Sequence, residues 1–217
     1  MTINLGSDPW ILICLMPLEI LLVVIPALIS SKIEKTSFAH EIHQMGLNTL
    51  FNSFFMQLKK IIAGLVFGCL LFLISGYLFF FFKHVIIENL LGKAFIVIAE
   101  ENAIKSEPIR PSPLQLILIL LFYLLLVSIC EEAFFRGFII KKLESKLNTR
   151  NSILFSSLCF SLYHVPPFFV PFQTMLTFLG YYFTLGILIS LIFKLFKNSL
   201  LPCIVCHGVF NVLILLF

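Results

Sequence analysis

Charge is scarce in this chain. Of its 217 residues only 12% are charged and 60% are hydrophobic, and the mean hydropathy is +1.07. Soluble globular domains carry about twice that share of charge, so that class is excluded and a single-domain α-helical membrane protein fits. No basic residue precedes Lys32. The positively charged start of a secretory signal is therefore missing, and the first apolar run reads as a retained span. The six cysteines (Cys14, Cys69, Cys130, Cys159, Cys203 and Cys206) all lie in apolar runs. They read as buried free thiols rather than a disulfide framework, which belongs to small secreted domains. There is no HExxH motif, no internal repeat and no low-complexity tract. The net charge of +4 is small, and its lysines and arginines sit in loops, where they report membrane orientation rather than nucleic-acid binding.

What the sequence does hold is a series of apolar runs near the 20 residues that a helix needs to cross a bilayer. They predict an all-α, polytopic transmembrane helical bundle of about six spans plus amphipathic interfacial helices. Trp10–Ile29 supplies the first, with Glu19 as an internal acid. Leu47, Leu50, Phe51, Phe54, Phe55 and Leu58 recur at helical spacing opposite Asn48, Asn52 and Gln57, which predicts a helix along the membrane surface. Ile61–Phe82 is the second span, with Gly64-xxx-Gly68 as a close-packing signal. Lys83–Pro113 is a long connection whose Val85–Ile98 portion is apolar enough to skim or re-enter the membrane. Leu114–Ile140 forms the third span. The fourth starts near Ser152 and is interrupted at Pro166-Pro167, and Met175–Phe196 and Leu200–Phe217 complete the set. Residues 1–113 thus form an N-terminal half and residues 114–217 a core, within one integrated domain. Lys32, Lys35, Lys59 and Lys60, then Lys141, Lys142, Lys146 and Arg150, then Lys194 and Lys197 fall on one side. The positive-inside rule makes that side cytoplasmic.

Inside the third span stand Glu131, Glu132 and Arg136. Ionisable groups at membrane depth cost at least a few kcal/mol and mark function by default. At 1.5 Å per residue, Glu131 lies about 15 Å from Lys141, His207 about 15 Å from Lys197 and His164 about 20 Å from Arg150. A carboxylate and two imidazoles from three spans thus reach a similar level. Glu132 and Arg136 are four apart, the spacing of a same-face ion pair, which serves equally as a helix–helix clamp. Glu131 points about 100° away from Glu132. Phe160 and His164 share a face, as do His207 and Asn211.

A carboxylate with an imidazole can hold and deprotonate a water, while a second imidazole and an amide stabilise charge on a carbonyl oxygen. That is peptide-bond hydrolysis. Glu131, His164 and His207 could instead ligate a zinc ion that activates the water. Spacing alone leaves both open.

Glu131-Glu132-xxx-Arg136, Phe160-xxx-His164 and His207-xxx-Asn211 resemble, in order and spacing, the three motifs of the CAAX-protease and bacteriocin-processing (CPBP, or Abi) membrane family, which includes the type II CAAX prenyl endopeptidases. The resemblance spans about Leu114 to Phe217. It implies a multi-pass intramembrane endopeptidase in a prokaryotic plasma membrane, acting on a membrane-associated peptide or protein. The family has been described both as metalloproteases and as metal-independent glutamate proteases; the expectation here is the second, with no required cofactor and zinc as the alternative. It further implies that Glu131 and His164 activate water, that His207 and Asn211 form the oxyanion site, and that Glu132 and Arg136 support them. Six spans depart from the eight helices of the CAAX enzymes, which leaves open whether the substrate is prenylated or a leader peptide. Three rivals accompany this reading. Cys203-xx-Cys206-His207 matches the haem-attachment pattern; a non-catalytic scaffold, regulator or immunity protein could share the fold; and Glu19 with Glu131 could couple protons in a transporter.

Overall fold

The computed structural model describes residues 9–47, 54–102 and 111–217, and all regular elements among them are helical. In lipid a segment must satisfy its backbone hydrogen bonds internally, which a helix does. The first rod joins α1 (Pro9–Leu15), a 3-10 turn (Met16–Ile20) and α2 (Leu21–Glu34). Pro17 lies in the first turn of that 3-10 segment, where its missing N–H interrupts the α ladder. A short α3 (Phe38–Gln44) follows, with the Ser37 side chain accepting from the His40 N–H. The second rod is α4 (Phe54–Phe80), continued by a π-helical stretch (Phe81–Ile87) into α5 (Glu88–Leu91). Gly92, at φ +87°, turns the chain into α6 (Lys93–Glu101).

The third rod is the most irregular. It comprises α7 (Pro113–Phe122), a π stretch (Tyr123–Val127), α8 (Ser128–Glu132), a second π stretch (Ala133–Ile140) and α9 (Lys141–Glu144). Ser112 and Gln115 start it with a reciprocal capping box. Then come α10 (Thr149–His164), α11 (Phe172–Leu195) and α12 (Leu200–Leu216). Val165, at φ −127° and ψ 67°, ends α10, because a residue before proline is disfavoured in the helical region. His164 is therefore the last helical residue.

Four rods are long and apolar enough to cross a membrane: Pro9–Glu34, Phe55–Leu91, Pro113–Glu144 and Phe172–Leu195. α12 is a shorter apolar helix. α10 and α12 extend about 24 and 26 Å at 1.5 Å per residue, less than the roughly 30 Å hydrocarbon core. The second span differs from its expected end at Phe82. No breaker occurs before Gly92, so the helix continues to Leu91 and absorbs the first part of the segment expected to skim the membrane. At its other end, the surface helix expected over residues 47–58 is replaced from Phe54 onward by the first turns of α4; residues 48–53 lie outside the described residues.

Packing follows the small residues. A Cβ on Gly64 would lie 2.6 Å from Val205 Cβ, and one on Gly68 would lie 2.8 Å from the Cys206 carbonyl oxygen. Those glycines let α4 and α12 approach closely, as small residues do at membrane helix interfaces. Phe135, Ile140, Ile189, Phe193 and Leu200 fill the interior, whereas large side chains such as Leu73, Tyr77 and Leu90 point outward. An apolar exterior is what lipid requires. At one end, Lys142 pairs with Glu34 and Glu41 (2.7 and 3.0 Å), and Lys194 pairs with Glu144 (2.6 Å). The basic ends of the first rod, the third rod and α11 therefore meet on one side. The chain is an integral membrane protein.

Candidate active site

The five-residue α8 carries both acids and sits between the two π stretches. A π turn widens the helix and recurs at functional sites. Here the Ser128 hydroxyl satisfies one loosened carbonyl, donating to Tyr123 O at 2.6 Å.

Glu132 and Arg136 make the expected pair, Nη1 to Oε1 at 2.9 Å, with both side chains fully buried. The rest of the guanidinium is used too. Nη2 donates to the Gly186 carbonyl at 2.9 Å and Nε to Ser190 Oγ at 3.3 Å. Arg136 Cζ also lies 4.7 Å from the Phe160 ring centroid, within cation–π range. Arg136 thus ties α8, α10 and α11 together. Gly186 permits this because a Cβ there would lie 3.1 Å from Ser157 Cα.

The same Glu132 Oε1 accepts from His207 Nδ1 at 2.8 Å. The acid paired with arginine is therefore also what orients the imidazole of α12. His164 is oriented differently: its Nδ1 donates to the Phe160 carbonyl at 2.9 Å, and its ring stacks on Tyr182 at 4.7 Å between centroids. With both Nδ1 atoms occupied, both Nε2 atoms turn to Glu131. Each lies 3.9 Å from Glu131 Oε2, and that buried oxygen has no hydrogen-bond partner among the described residues. The three groups expected to share a level do meet.

They line a cavity of about 380 Å³ together with Phe160 and Asn211. Glu132 and Arg136 stand behind its wall. All seven residues singled out in the sequence are thus placed at this cavity or directly behind it. Sequence reasoning missed Tyr182, which backs His164, and the Gly186–Ser190 pair that receives Arg136. Glu19, left as an unexplained acid, also lines the cavity and accepts from the Tyr163 hydroxyl at 2.6 Å. The signal that could have found Tyr163 is its place beside His164.

The donor set bears on a metal. Tetrahedral zinc ligands about 2.1 Å from the ion lie about 3.4 Å apart, closer than the 3.9 Å from Oε2 to either Nε2. Among the described residues no group of three or more His, Cys, Asp or Glu side chains is arranged to hold a metal ion. These residues as placed do not fit zinc. A water about 2.8 Å from each atom does fit between atoms at that separation. Haem attachment fares no better, because Cys203 and Cys206 are both fully buried.

Neither curated proteins nor solved structures give a match to the chain. A family model does. Residues 113–213, which include α8, α10, α11 and the part of α12 that bears His207 and Asn211, match the model described as Type II CAAX prenyl endopeptidase Rce1-like, so the C-terminal half of this protein is similar to the family that its three motifs suggested.

Proposed function

We propose that the protein is an intramembrane endopeptidase in which Glu131 and His164 activate a water and His207 with Asn211 stabilises the oxyanion. The observation that supports this reading is the partnerless Glu131 Oε2, 3.9 Å from two imidazole Nε2 atoms at the wall of a cavity. A buried carboxylate oxygen without a donor is costly, and a water bridging it to His164 supplies one. His164 Nδ1–H is committed to a carbonyl, so its neutral Nε2 offers a lone pair to the second proton of that water.

In the reaction, Glu131 takes a proton from the water as its oxygen adds to the scissile carbonyl carbon. The carbonyl π pair moves onto oxygen. The C–N bond then breaks, and Glu131 returns the proton to the departing amine. His207 Nδ1–H is held by Glu132, which turns Nε2 to the cavity; when His207 is protonated at both nitrogens, its Nε2–H is the donor that stabilises the oxyanion. Asn211 adds an amide donor one helical turn along. The residues do not fit zinc as placed, and no step is routed through a metal.

The substrate class that the family description names is a CAAX prenyl protein; a membrane-associated peptide or protein end of that kind fits a reaction centre inside a bundle. Glu19 and Glu131 share the cavity, as a proton-coupled transporter would also require, and the family match weighs for hydrolysis. The test compares membrane peptides in cells carrying wild type or Glu131→Gln. Uncleaved species that accumulate only with the variant support the proposal. Identical peptide profiles at equal protein levels overturn it.

A further inference from the structure

Glu19 lies outside the family match, on the irregular 3-10 turn of the first rod. Irregular backbone at membrane depth is tolerated where it lines a cavity, and this turn does line one. Tyr163 holds Glu19 Oε1, while Oε2 is buried with no hydrogen-bond partner among the described residues. Glu131 presents a second partnerless oxygen to the same cavity, and its residue is only 4% exposed. Two acids therefore face a space whose lining among the described residues includes no lysine or arginine; its imidazoles, His164 and His207, both turn to Glu131. Arg136, behind the wall, is spent on Glu132, Gly186 and Ser190.

The Glu131 oxygen has a use in the proposed reaction. Glu19 has none. It comes from a different rod, and Tyr163 on α10 holds its other oxygen. A carboxylate that keeps one oxygen unpartnered at a cavity wall favours an incoming cation, because charge-assisted hydrogen bonds are the strong ones.

We infer that Glu19 is a specificity determinant whose free carboxylate oxygen receives a lysine or arginine side chain of the substrate near the scissile bond. The inference rests on the protease reading for its meaning, since the cation is placed relative to the bond that is cut.

The experiment uses the full chain in lipid nanodiscs and two series of decapeptides, identical except for Lys or Gln scanned through each position. Cleavage is followed by mass spectrometry. Wild type is expected to prefer Lys over Gln at one position by about ten- to a hundredfold in kcat/KM, carried by KM, the size of a hydrogen bond to a charged group. Glu19→Gln should bring that ratio to within about twofold, and Glu19→Asp, which keeps the charge, should restore part of it. A ratio unchanged in Glu19→Gln, or no preference in wild type, overturns the inference. A second arm measures binding of the fluorescently labelled Lys and Gln peptides to Glu131→Gln, with and without Glu19→Gln. Tighter binding of the Lys peptide that Glu19→Gln abolishes upholds the inference; equal Kd values sink it. If wild type cuts nothing while this binding difference stands, the protease reading fails and the cation site survives.

Discussion

Glu132 Oε1 accepts the Nδ1–H of His207 at 2.8 Å, joining residues 75 apart in the chain. One carboxylate atom therefore neutralises Arg136 and also fixes which nitrogen of His207 faces the cavity. The two adjacent acids are placed differently: Glu132 holds Arg136 and His207, whereas Glu131 Oε2 has no hydrogen-bond partner among the described residues.

That division predicts opposite stability effects from similar changes. Glu132→Gln leaves Arg136 buried without its counter-ion, a loss worth about 3–5 kcal/mol. Glu131→Gln removes a buried charge whose Oε2 has no partner, so its melting temperature should equal or exceed that of wild type while cleavage is lost. Thermal denaturation in detergent, run beside the peptide assay, separates them.

Arg136→Lys should not rescue function. Lysine can reach one acceptor as a point charge but cannot reproduce the fork that serves Glu132, Gly186 and Ser190 together. Expected are a melting temperature several degrees lower and cleavage reduced at least about tenfold, because His207 loses a fixed partner. Near-wild-type behaviour in both assays would refute the geometry.

Close backbone approach gives a third prediction. A Cβ on Gly137 would run into the Met45 carbonyl oxygen. Gly137→Ala must displace the end of α3 and should cost about 1–3 kcal/mol, typical of overpacking. Gly76→Ala is the control, since nothing stands within 4 Å of its Cβ. Their stabilities are compared in one detergent.

Acid provides a fourth. Burial by itself would push the Glu41 carboxyl up, but hydrogen bonds from Thr36, Lys142 and Ser30 together hold it down at about 2. Its pKa is thus depressed on folding. The stability it contributes is fully present above its ordinary value of 4.5 and is lost as pH falls from there through about 2. Lys142→Met removes one of those donors and should shift the acid transition to higher pH, with little change near neutrality in the slope of stability against pH. Circular dichroism against pH reads this out.

The spacing of Glu132 with Arg136, of Phe160 with His164 and of His207 with Asn211 was legible because a helix puts residues four apart on one face. Depth was legible too, since rise per residue is fixed. What periodicity could not supply was the partner across the bundle. That Arg136 would find Gly186 and Ser190 on α11, or that His207 would turn Nδ1 to Glu132 rather than Glu131, depends on how rods rotate about their axes. The π stretches around α8 were also invisible, because they change backbone pitch without changing composition. Glu19 stood out as an internal acid, yet only the folded first rod brings it to the cavity. The end of the second span was misplaced because the charged Lys83 reads as a boundary, whereas the helical rod breaks only at Gly92.

The three-way grip of Arg136 also sets what can slide. Shifting α11 by one turn, about 5.4 Å, would strand two guanidinium donors in an apolar interior. The wall formed by the third rod and α11 is therefore a fixed anvil. The first rod meets that chamber by other means: the Tyr163–Glu19 hydrogen bond, the Glu34–Lys142 pair at one end, and Ile13, Met16, Val23 and Ala27 buried against the bundle.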